Sequence, residues 1–341
     1  MIIGNWLLMI YHMVPKNILI IGHSNIGDVC YDTVVIAPLR RNFPQARISF
    51  LSSSRAQDIL EGYTGIDKII LFDTHTKDRG IFGHLKLINF LRQERFDLII
   101  VLNSSLLYKF LGVSSVWRAR KTKKHAAQGY LELLRLKGLA VGEAVFNFGL
   151  KKDDHDFAGD FFQKEAIANT DCVMGILPIA AWSLKSWPVE NWNELAHRVK
   201  QEYGFKTIAL GRSSNDSFSR FVLKNLSSEI SVAIDKTTLK QALALLNRCN
   251  LFIAPDSSLL HLASCMGVQT IGLYGATSAE YFYPYFHKQN SIVSKAPLGC
   301  MPCCPGLKAL PCKKEFQPAP CMEGITVEDV LEMVKNIIGK K

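Results

Sequence analysis

Asp28 is the first residue whose type and position could do chemistry. It lies in GHSNIGDV, residues 22–29, directly after the apolar run that begins at Asn17. A carboxylate at a helix start commonly caps the helix, because free backbone N–H groups and the helix dipole stabilise it. At the mouth of a cleft the same carboxylate could take a proton from an attacking hydroxyl, as the general base of an inverting displacement. The sequence at this point leaves both interpretations open.

A second group of polar residues predicts an anion-binding site. The run LFIAPDSSLLHLASCMG, residues 251–267, predicts a strand, a turn at Asp256 and a helix. Ser257 and Ser258 would place hydroxyl and backbone N–H donors at that helix start, an arrangement that suits a diphosphate. Lys185, just before SWPVENW, would lie beside another helix N-terminus, either as a phosphate ligand or as a solvated surface lysine.

Three further residues belong to the same candidate site. His261 lies one turn along the predicted helix, where a lone histidine is more often a hydrogen-bonded core residue than a catalyst. Gly275 and Thr277 follow the next predicted strand, in YGATSAEYF, and could line the same cleft or simply turn the chain.

The elements that must position these residues show a regular rhythm. Short apolar runs separated by amphipathic stretches are typical of βαβ units and parallel sheets. Open parallel sheets bind ligands beyond the carboxyl ends of their strands, and two such lobes facing each other would form a cleft. We therefore expect an α/β protein with two Rossmann-like, doubly wound parallel-sheet lobes. The apolar runs begin at Asn17, Arg47, Lys68, Asp97, Cys172, Lys206, Leu251 and Thr270.

The predicted boundaries follow from this rhythm and from the chain length of 341 residues, which suits two lobes better than one core. The polar stretch KKDDHDFAGD, residues 151–160, interrupts the rhythm and is expected to be irregular. We predict an N-terminal lobe over 1–160 and a C-terminal lobe over 161–322, which includes a Cys- and Pro-rich loop at 295–321. An amphipathic helix over 323–341 should end the chain, with Thr326 and Asp329 as its capping box.

The composition restricts the possible partners. With 48% hydrophobic and 21% charged residues the chain is neither intrinsically disordered nor fibrous. A net charge of +10 favours anionic partners, but no aromatic stacking motif accompanies the basic residues, so nucleic acid is not expected.

The apolar N-terminal stretch fits neither a membrane span nor an export signal. Because the first strand begins only at Asn17, we favour Met13 over Met1 as the start, with the preceding residues an extension rather than an interfacial tail.

The nine cysteines fall into two sets. Four lie singly in apolar segments, where free cysteine behaves as a small buried hydrophobe: Cys30, Cys172, Cys249 and Cys265. Five cluster between Cys300 and Cys321, but their spacing contains only one C-x-x-C pair. Free thiols or a local disulfide are therefore favoured over a bound metal. A structural metal, if held, would use Cys300, Cys303, Cys312 and Cys321.

Together these segments resemble glycosyltransferase family 9, the bacterial lipopolysaccharide heptosyltransferases, and look most like the heptosyltransferase II branch. The resemblance runs from about Asn17 to the final helix and rests on the order and spacing of its motifs. These are SNIGDV, RRNFPQARISFL, the K-x-WP-x-E-x-W pattern at 185–192, APDSSLLHLA, LYGATS and CMEGITVEDVL.

The resemblance implies the GT-B fold, with the acceptor on the first lobe and a nucleotide-sugar donor on the second. It also implies inverting transfer of a heptose from ADP-heptose to inner-core lipopolysaccharide, without a metal bound through a DxD motif. Asp28 corresponds to the family's proposed general base and Lys185 to its donor-phosphate lysine. The remaining implied donor contacts are Asp256, Ser257, Ser258, His261, Gly275 and Thr277, and the implied acceptor contacts are Asn25 and Gly27.

The chain departs from the family pattern at three places. Ser258 stands where the family usually has glycine, and the segment 275–279 lacks both prolines of G-P-T-[DS]-P. Pro38 falls within the helix expected after Asp28 and should kink or shorten it. These departures concern the identity of the donor more than the fold or the type of reaction.

Two other functions remain open at this stage. The same fold could use another nucleotide sugar, or the chain could be a catalytically silent nucleotide-sugar or nucleic-acid binding module. A dinucleotide-dependent dehydrogenase is disfavoured, because Gly22 and Gly27 do not form a G-x-G-x-x-G motif.

We expect a cytoplasmic protein, peripheral on the inner face of the inner membrane. The basic run at 118–125 would then lie near the anionic glycolipid acceptor, although such a run is also typical of a solvated loop.

Overall fold

Two parallel β-sheets, one from each half of the chain, form the framework of the protein. The computed structural model describes residues 14–74, 76, 78–120, 124–303 and 319–339. Sheet A has the strand order β3-β2-β1-β4-β5 and sheet B the order β11-β10-β9-β6-β7-β8. The strands of sheet A are β1 (Asn17–Ile21), β2 (Arg47–Ser52), β3 (Lys68–Leu71), β4 (Leu98–Val101) and β5 (Ser115–Arg118). The strands of sheet B are β6 (Val173–Ile176), β7 (Lys206–Ala209), β8 (Ile230–Val232), β9 (Leu251–Pro255), β10 (Gln269–Tyr274) and β11 (Ser291–Val293).

Helices connect the strands and cover both faces of each sheet. In the first lobe they are α1 (Ile26–Asp32), α2 (Ile36–Asn42), α3 (Gln57–Leu60), α4 (Gly80–Gln93) and α5 (Ala126–Leu136). The helix α6 (Lys152–Lys164) leads into the second lobe. There follow α7 (Val189–Tyr203), α8 (Ser217–Asn225), α9 (Leu239–Asn247), α10 (Ser258–Cys265), α11 (Ala279–Phe282), α12 (Pro320–Glu323) and α13 (Val327–Ile338). Two doubly wound α/β lobes are therefore present, and the predicted fold class is confirmed.

The central strands β1, β4, β6 and β9 are almost continuous apolar runs because they are buried on both faces. In β1, Ile18 and Ile20 belong to the cluster that includes α1 and α5, whereas Leu19 and Ile21 point the other way, toward α4. All five residues of β9 are buried. This alternation determines which side chains face which layer of helices. Because the strands are parallel, the loops that follow the central strands lie at the same edge of each sheet.

The helical segment after β1 is broken, as Pro38 predicts. The helix α1 ends at Asp32, a 3₁₀ turn covers Thr33–Val35, and α2 begins at Ile36. Pro38 is the third residue of α2, a position where its missing N–H would have no intrahelical partner in any case.

The stretch 151–160 is not irregular, and that prediction was wrong. Residues Lys152–Lys164 form α6, and in its first turn Asp154 Oδ2 accepts a hydrogen bond from the Lys151 backbone N–H at 2.9 Å. Phe157, Phe161 and Phe162 recur at helical spacing and the last two are buried, so the segment has an apolar face that its polar composition obscured. The lobe boundary predicted between residues 160 and 161 lies inside this helix.

Contacts between the lobes are direct. The helix α1 packs against α10 of the second lobe, and α6 and α3 pack against α9. Lys240 of α9 donates hydrogen bonds to the backbone oxygens of Glu61, at 2.9 Å, and Phe148. Val29 of the first lobe and Leu260 of the second belong to one continuous apolar cluster. The described structure therefore has the lobes in contact.

The C-terminal helix and the cysteines are largely as predicted. Thr326 and Asp329 form the capping box of α13, and α13 packs on α7. Cys30, Cys249 and Cys265 are buried, but Cys172 is exposed at the turn before β6, so its predicted burial was wrong. Met1, Met13 and Cys312 lie outside the described residues. No helix in the described ranges is both long and apolar enough to cross a membrane.

Candidate active site

A cleft of about 630 Å³ lies between the lobes. Its walls come from the loops and helix starts that follow the strands of each sheet, as expected for open parallel sheets. The first lobe contributes Asn25, Ile26, Arg55 and Asp58. The second lobe contributes Leu177, Ile179, Ala181, Gly211, Arg212, Thr237, Thr238, Leu239, Ala242, Ser257, Ser258 and Leu259.

The candidate polar residues follow the strands at which each sheet reverses its order. Asp28 follows β1, which neighbours β4 at the reversal of sheet A. Lys185 follows β6 and Asp256 follows β9, the two strands that meet at the reversal of sheet B. Loops diverge at such positions and leave a crevice, which is the usual ligand site of this architecture.

Asp28 lies in the first turn of α1 but does not occupy the N-cap position. Asn25 is the N-cap residue, and its side-chain amide donates a hydrogen bond to Asp28 Oδ2 at 3.3 Å. Burial raises the pKa of Asp28 above its ordinary value, although the positive charge of His23 acts in the opposite direction. A half-buried carboxylate with a raised pKa is a stronger base than a solvated one.

His23 and Asp32 form an ion pair beside Asp28 that the sequence analysis did not single out. Asp32 is fully buried and accepts hydrogen bonds from the His23 backbone N–H at 2.6 Å and from the His23 ring Nδ1 at 2.9 Å. Burial alone would lower the pKa of His23, but the charge and hydrogen bond of Asp32 raise it to about 9. His23 is therefore protonated at neutral pH.

The turn that carries His23 is tied down from two neighbouring strands. Ser52 Oγ, at the end of β2, donates to the His23 carbonyl oxygen at 2.6 Å. Asn103, just after β4, donates to the Gly22 carbonyl oxygen at 2.5 Å. These bonds fix the start of α1, and with it the position of Asp28, relative to sheet A.

In the second lobe, Asp256 connects Lys185 with His261. Lys185 Nζ lies 2.7 Å from the Asp256 carbonyl oxygen and 3.3 Å from its Oδ2, and His261 Nε2 lies 3.1 Å from Oδ1. Burial alone would raise the pKa of Asp256, but the His261 hydrogen bond and the Lys185 charge lower it to about 2. The structure therefore brings these three predicted residues together as a buried charged group.

The helix starts of α1 and α10 meet where the lobes touch. Ser257 is the N-cap of α10, with its hydroxyl accepting from the Leu260 N–H, and Ser258 is the first helical residue. A Cβ atom added at Gly27 would lie 3.3 Å from His261 Cδ2 and 3.5 Å from Ser258 Oγ. Glycine at position 27 thus permits the close approach of the two helices.

Tyr31 completes a hydrogen-bonded connection between the lobes. Its hydroxyl lies 2.7 Å from His261 Nδ1, and burial raises the pKa of Tyr31 so that it remains protonated. Because the Asp256 carboxylate can only accept, His261 Nε2 donates to it, and Nδ1 is left facing the Tyr31 hydroxyl. Tyr31 was missed by the sequence analysis, and the only local signal was its position one turn after Asp28 on the same helix.

Gly275 and Thr277 are not brought into this group. A Cβ atom at Gly275 would lie 2.9 Å from Cys321 Sγ and from Met322 Sδ, so Gly275 packs against α12. Thr277 is buried, and neither residue is among those that line the cleft, which is also true of Asp28, Lys185, Asp256 and His261. The assignment of Gly275 and Thr277 to donor binding stays a prediction.

The cysteine cluster is only partly described. Cys300, Cys303 and Cys321 line a small apolar cavity together with Trp182 and Met301. Within the described ranges, no group of three or more His, Cys, Asp or Glu side chains is placed to hold a metal ion. The proposed four-cysteine set includes Cys312, which is not among the described residues.

Comparison with known proteins agrees with this architecture. The chain is 22% identical over 312 residues to the lipopolysaccharide core heptosyltransferase OpsX of Haemophilus influenzae, covering 82% of this chain and 84% of that protein. A glycosyltransferase family 9 structure from Veillonella parvula superimposes with a TM-score of 0.79 at 20% identity, covering 96% and 98% of the two chains. Escherichia coli ADP-heptose LPS heptosyltransferase II superimposes with a TM-score of 0.69 at 19% identity, covering 95% and 99%.

The structural likenesses establish the fold, which is the GT-B arrangement of two Rossmann-like lobes. The family assignment rests on the sequence, because residues 108–314 match the family model described as glycosyltransferase family 9 (heptosyltransferase). Since that match spans more than half of the chain, the protein belongs to glycosyltransferase family 9, the heptosyltransferase family, and is a glycosyltransferase.

Proposed function

We propose that the protein transfers a heptose from ADP-heptose to inner-core lipopolysaccharide with inversion at the anomeric carbon. The names of its relatives support this substrate pair, since one is a lipopolysaccharide core heptosyltransferase and another an ADP-heptose LPS heptosyltransferase. The observation that carries the proposal is the meeting of α1 and α10. There Gly27, the neighbour of Asp28, lies beside Ser258 and His261 of α10, and His261 bonds to Asp256, which in turn holds Lys185.

In the proposed reaction Asp28 acts as the general base. Its carboxylate takes the proton of the acceptor hydroxyl while the hydroxyl oxygen attacks the anomeric carbon of the heptose. The bond from that carbon to the diphosphate oxygen breaks, and ADP leaves on the opposite face. One displacement inverts the configuration, and the proton ends on Asp28.

His23 and Asp32 would keep Asp28 ready for this role. The His23 imidazolium stabilises the ionised form of Asp28 against the effect of burial. Asp32 is needed because, without its charge, burial would favour neutral His23. The His23 charge thus offsets part of the effect of burial and favours the ionised form of Asp28, which proton abstraction requires.

Lys185 and the start of α10 would bind the donor diphosphate. Lys185 Nζ bonds to a backbone oxygen and a carboxylate of Asp256, so its charge is already held at the strand end where the diphosphate would lie. The first N–H groups of α10 and the Ser258 hydroxyl would add donors. Charge develops on the departing diphosphate, and removing one such donor commonly costs about 3 kcal/mol of transition-state stabilisation. Asp256 and His261 would contact the donor sugar.

The acceptor side of the proposal uses Asn25 and Gly27 of the first lobe, beside Asp28. Arg55 also lines the cleft there, and its charge suits an anionic glycolipid. We place the protein in the cytoplasm, peripheral on the inner face of the inner membrane, where such an acceptor would be presented. The net charge of +10 supports contact with anionic lipid.

A transfer assay with the purified full chain tests this function. Incubation with ADP-heptose and heptose-deficient inner-core lipopolysaccharide should add one heptose to the acceptor, detected by mass spectrometry, and NMR should show the inverted anomeric configuration. UDP- and GDP-sugars offered in parallel should give no product. If only one of those sugars gave product, that sugar and not ADP-heptose would be the donor. Donor binding without transfer to any acceptor would favour a silent binding module.

A further inference from the structure

The outer face of α4 carries an unusual amount of exposed apolar surface. Of thirteen large hydrophobic side chains exposed in the part of the chain that the structure describes, four lie on this helix. Ile81 is 70% exposed, Phe82 82% and Leu85 53%, and they are neighbours on the first two turns. We call these three residues the α4 patch. The fourth, Phe90, is 36% exposed and has Lys68 Nζ 4.8 Å from its ring centroid.

The α4 patch is held firmly in place from the opposite side of the helix. Leu87 and Leu91 are buried in the apolar cluster that includes Leu19 and Val101 of sheet A. These buried residues already anchor the helix to the core. Its exposed apolar residues therefore do not contribute to that packing. Contiguous exposed apolar side chains on an otherwise well-packed element indicate an interaction surface.

All the formally charged residues between positions 79 and 93 are basic, while Asp78 and Glu94 lie just outside this range. Arg79 and Lys86 are exposed beside it, Arg92 is exposed in the last turn, and no acidic residue occurs between positions 79 and 93. Apolar side chains flanked by Lys and Arg are typical of helices that lie in the interface of an anionic bilayer. A second copy of this chain would bring the same basic residues and a net charge of +10, so self-association is disfavoured.

The α4 patch also lies on the cleft side of the first lobe. The helix begins after β3, at the carboxyl edge of sheet A, where the cleft opens. Asp73, after β3, accepts from the Ser54 N–H at 2.9 Å, and its own N–H donates to Asp78 Oδ2 at 2.9 Å. Arg55, next to Ser54, lines the cleft. A continuous hydrogen-bonded path thus connects the cleft wall to the start of α4.

We propose that the first two turns of α4 dock the protein on an anionic phospholipid bilayer. Ile81, Phe82 and Leu85 enter the headgroup region, while Arg79 and Lys86 contact the anionic headgroups. This deepens the proposed function, because the acceptor in that proposal is held in a membrane. Docking at this edge of the first lobe turns the mouth of the cleft toward such an acceptor.

Vesicle flotation of the full chain tests the docking surface without any catalytic step. The wild-type protein should float with vesicles of phosphatidylethanolamine and phosphatidylglycerol, less so in high salt, and should not float with phosphatidylcholine alone. The triple variant Ile81→Ser, Phe82→Ser, Leu85→Ser should lose binding by about tenfold or more, since each apolar contact contributes to interfacial affinity. The variant Arg79→Gln, Lys86→Gln should lose the preference for anionic lipid.

The matched control is Phe221→Ser, which removes an aromatic side chain of 50% exposure from α8 in the second lobe. It should float like the wild-type protein. Equal flotation of the triple variant and the wild type, or equal loss in the Phe221→Ser control, would overturn the proposal. A wild-type dimer that the triple variant converts to a monomer would instead assign the patch to a second copy.

The two proposals can fail separately. The triple variant should transfer sugar to a delipidated acceptor at the wild-type rate and lose activity only toward acceptor embedded in vesicles. Loss of transfer to both acceptors, with unchanged thermal unfolding, would contradict a docking role. Failure of the wild-type protein to use ADP-heptose at all would reject the proposed function but leave the flotation result unaffected.

Discussion

At the scale of single residues, the carboxylates of the candidate site differ in whether they have a charged partner. His23 and Asp32 form a buried ion pair, and Asp256 is held between Lys185 and His261. Asp28, by contrast, has only an amide donor from Asn25 among its described side-chain hydrogen bonds. We therefore assign proton exchange with substrate to Asp28 in the proposed reaction, and not to the two better-paired carboxylates.

The pH dependence of transfer should report the influence of His23 on Asp28. Four groups contribute to the pKa of Asp28 besides its burial: the charges of His23, Asp32 and His261 and the amide of Asn25. The variant His23→Gln removes a charge that lowers this pKa, so the acidic limb of kcat/KM should move to higher pH. His155→Gln, at an exposed histidine of α6, is the control and should leave the profile unchanged. An unshifted limb in His23→Gln would mean that His23 does not act on the base.

The same pair should stabilise the fold in a pH-dependent way. The pKa of His23 rises on folding from 6.5 to about 9, so the stabilisation is complete below pH 6.5 and is lost as pH rises through about 9. The shift corresponds to about 3 kcal/mol. Asp32→Asn should remove this contribution in urea unfolding below pH 6.5, and its difference from wild type should shrink in alkaline solution. Asp160→Asn, at an exposed carboxylate, is the control. A difference that does not depend on pH would contradict the pairing.

At the scale of elements, two short helices bring the site together across the lobes. The helices α1 and α10 each begin directly after a central strand, and their first turns touch. Tyr31 on α1 and His261 on α10 share the hydrogen bond that crosses between them. The separation of these helices therefore sets the distance between the proposed base and the proposed donor site.

Substitution of Gly27 should change that separation. Gly27→Ala requires a shift of only a few tenths of an ångström at His261, and alanine is the better helix former by about 1 kcal/mol, so the variant should fold well and stay active. Gly27→Leu extends further toward His261 and Ser258 and should lower kcat by about tenfold or more, as small misplacements of reacting groups do. Equal kcat in the alanine and leucine variants would show that close approach of the helices is not needed.

Local patterns predicted the elements better than the contacts between them. The apolar runs predicted the main strands, and the Thr326–Asp329 capping box predicted the start of α13. Both signals depend only on residues that are close together in the sequence. The helix α6 was missed because its charges outnumber its few buried apolar positions. The bond from Tyr31 to His261 spans 230 positions of sequence, and only the packing of the two lobes determines it.

At the scale of the whole molecule, the two lobes divide the proposed reaction between them. The first lobe carries Asp28 and the acceptor side, and the second carries Lys185, Asp256 and the start of α10. Lys240 and the shared apolar cluster hold the lobes in contact on one side of the cleft. A base on one lobe and a donor site on the other mean that binding and chemistry should be separable by mutation.

The most direct test of this account measures donor affinity and single-turnover transfer in the same two variants. Asp28→Asn should bind ADP-heptose like the wild-type protein but transfer it about 100-fold or more slowly, the usual loss when a general base is removed. Lys185→Met should instead weaken donor binding, and thermal unfolding should confirm that both variants are folded. The account is contradicted if folded Asp28→Asn transfers heptose at close to the wild-type rate.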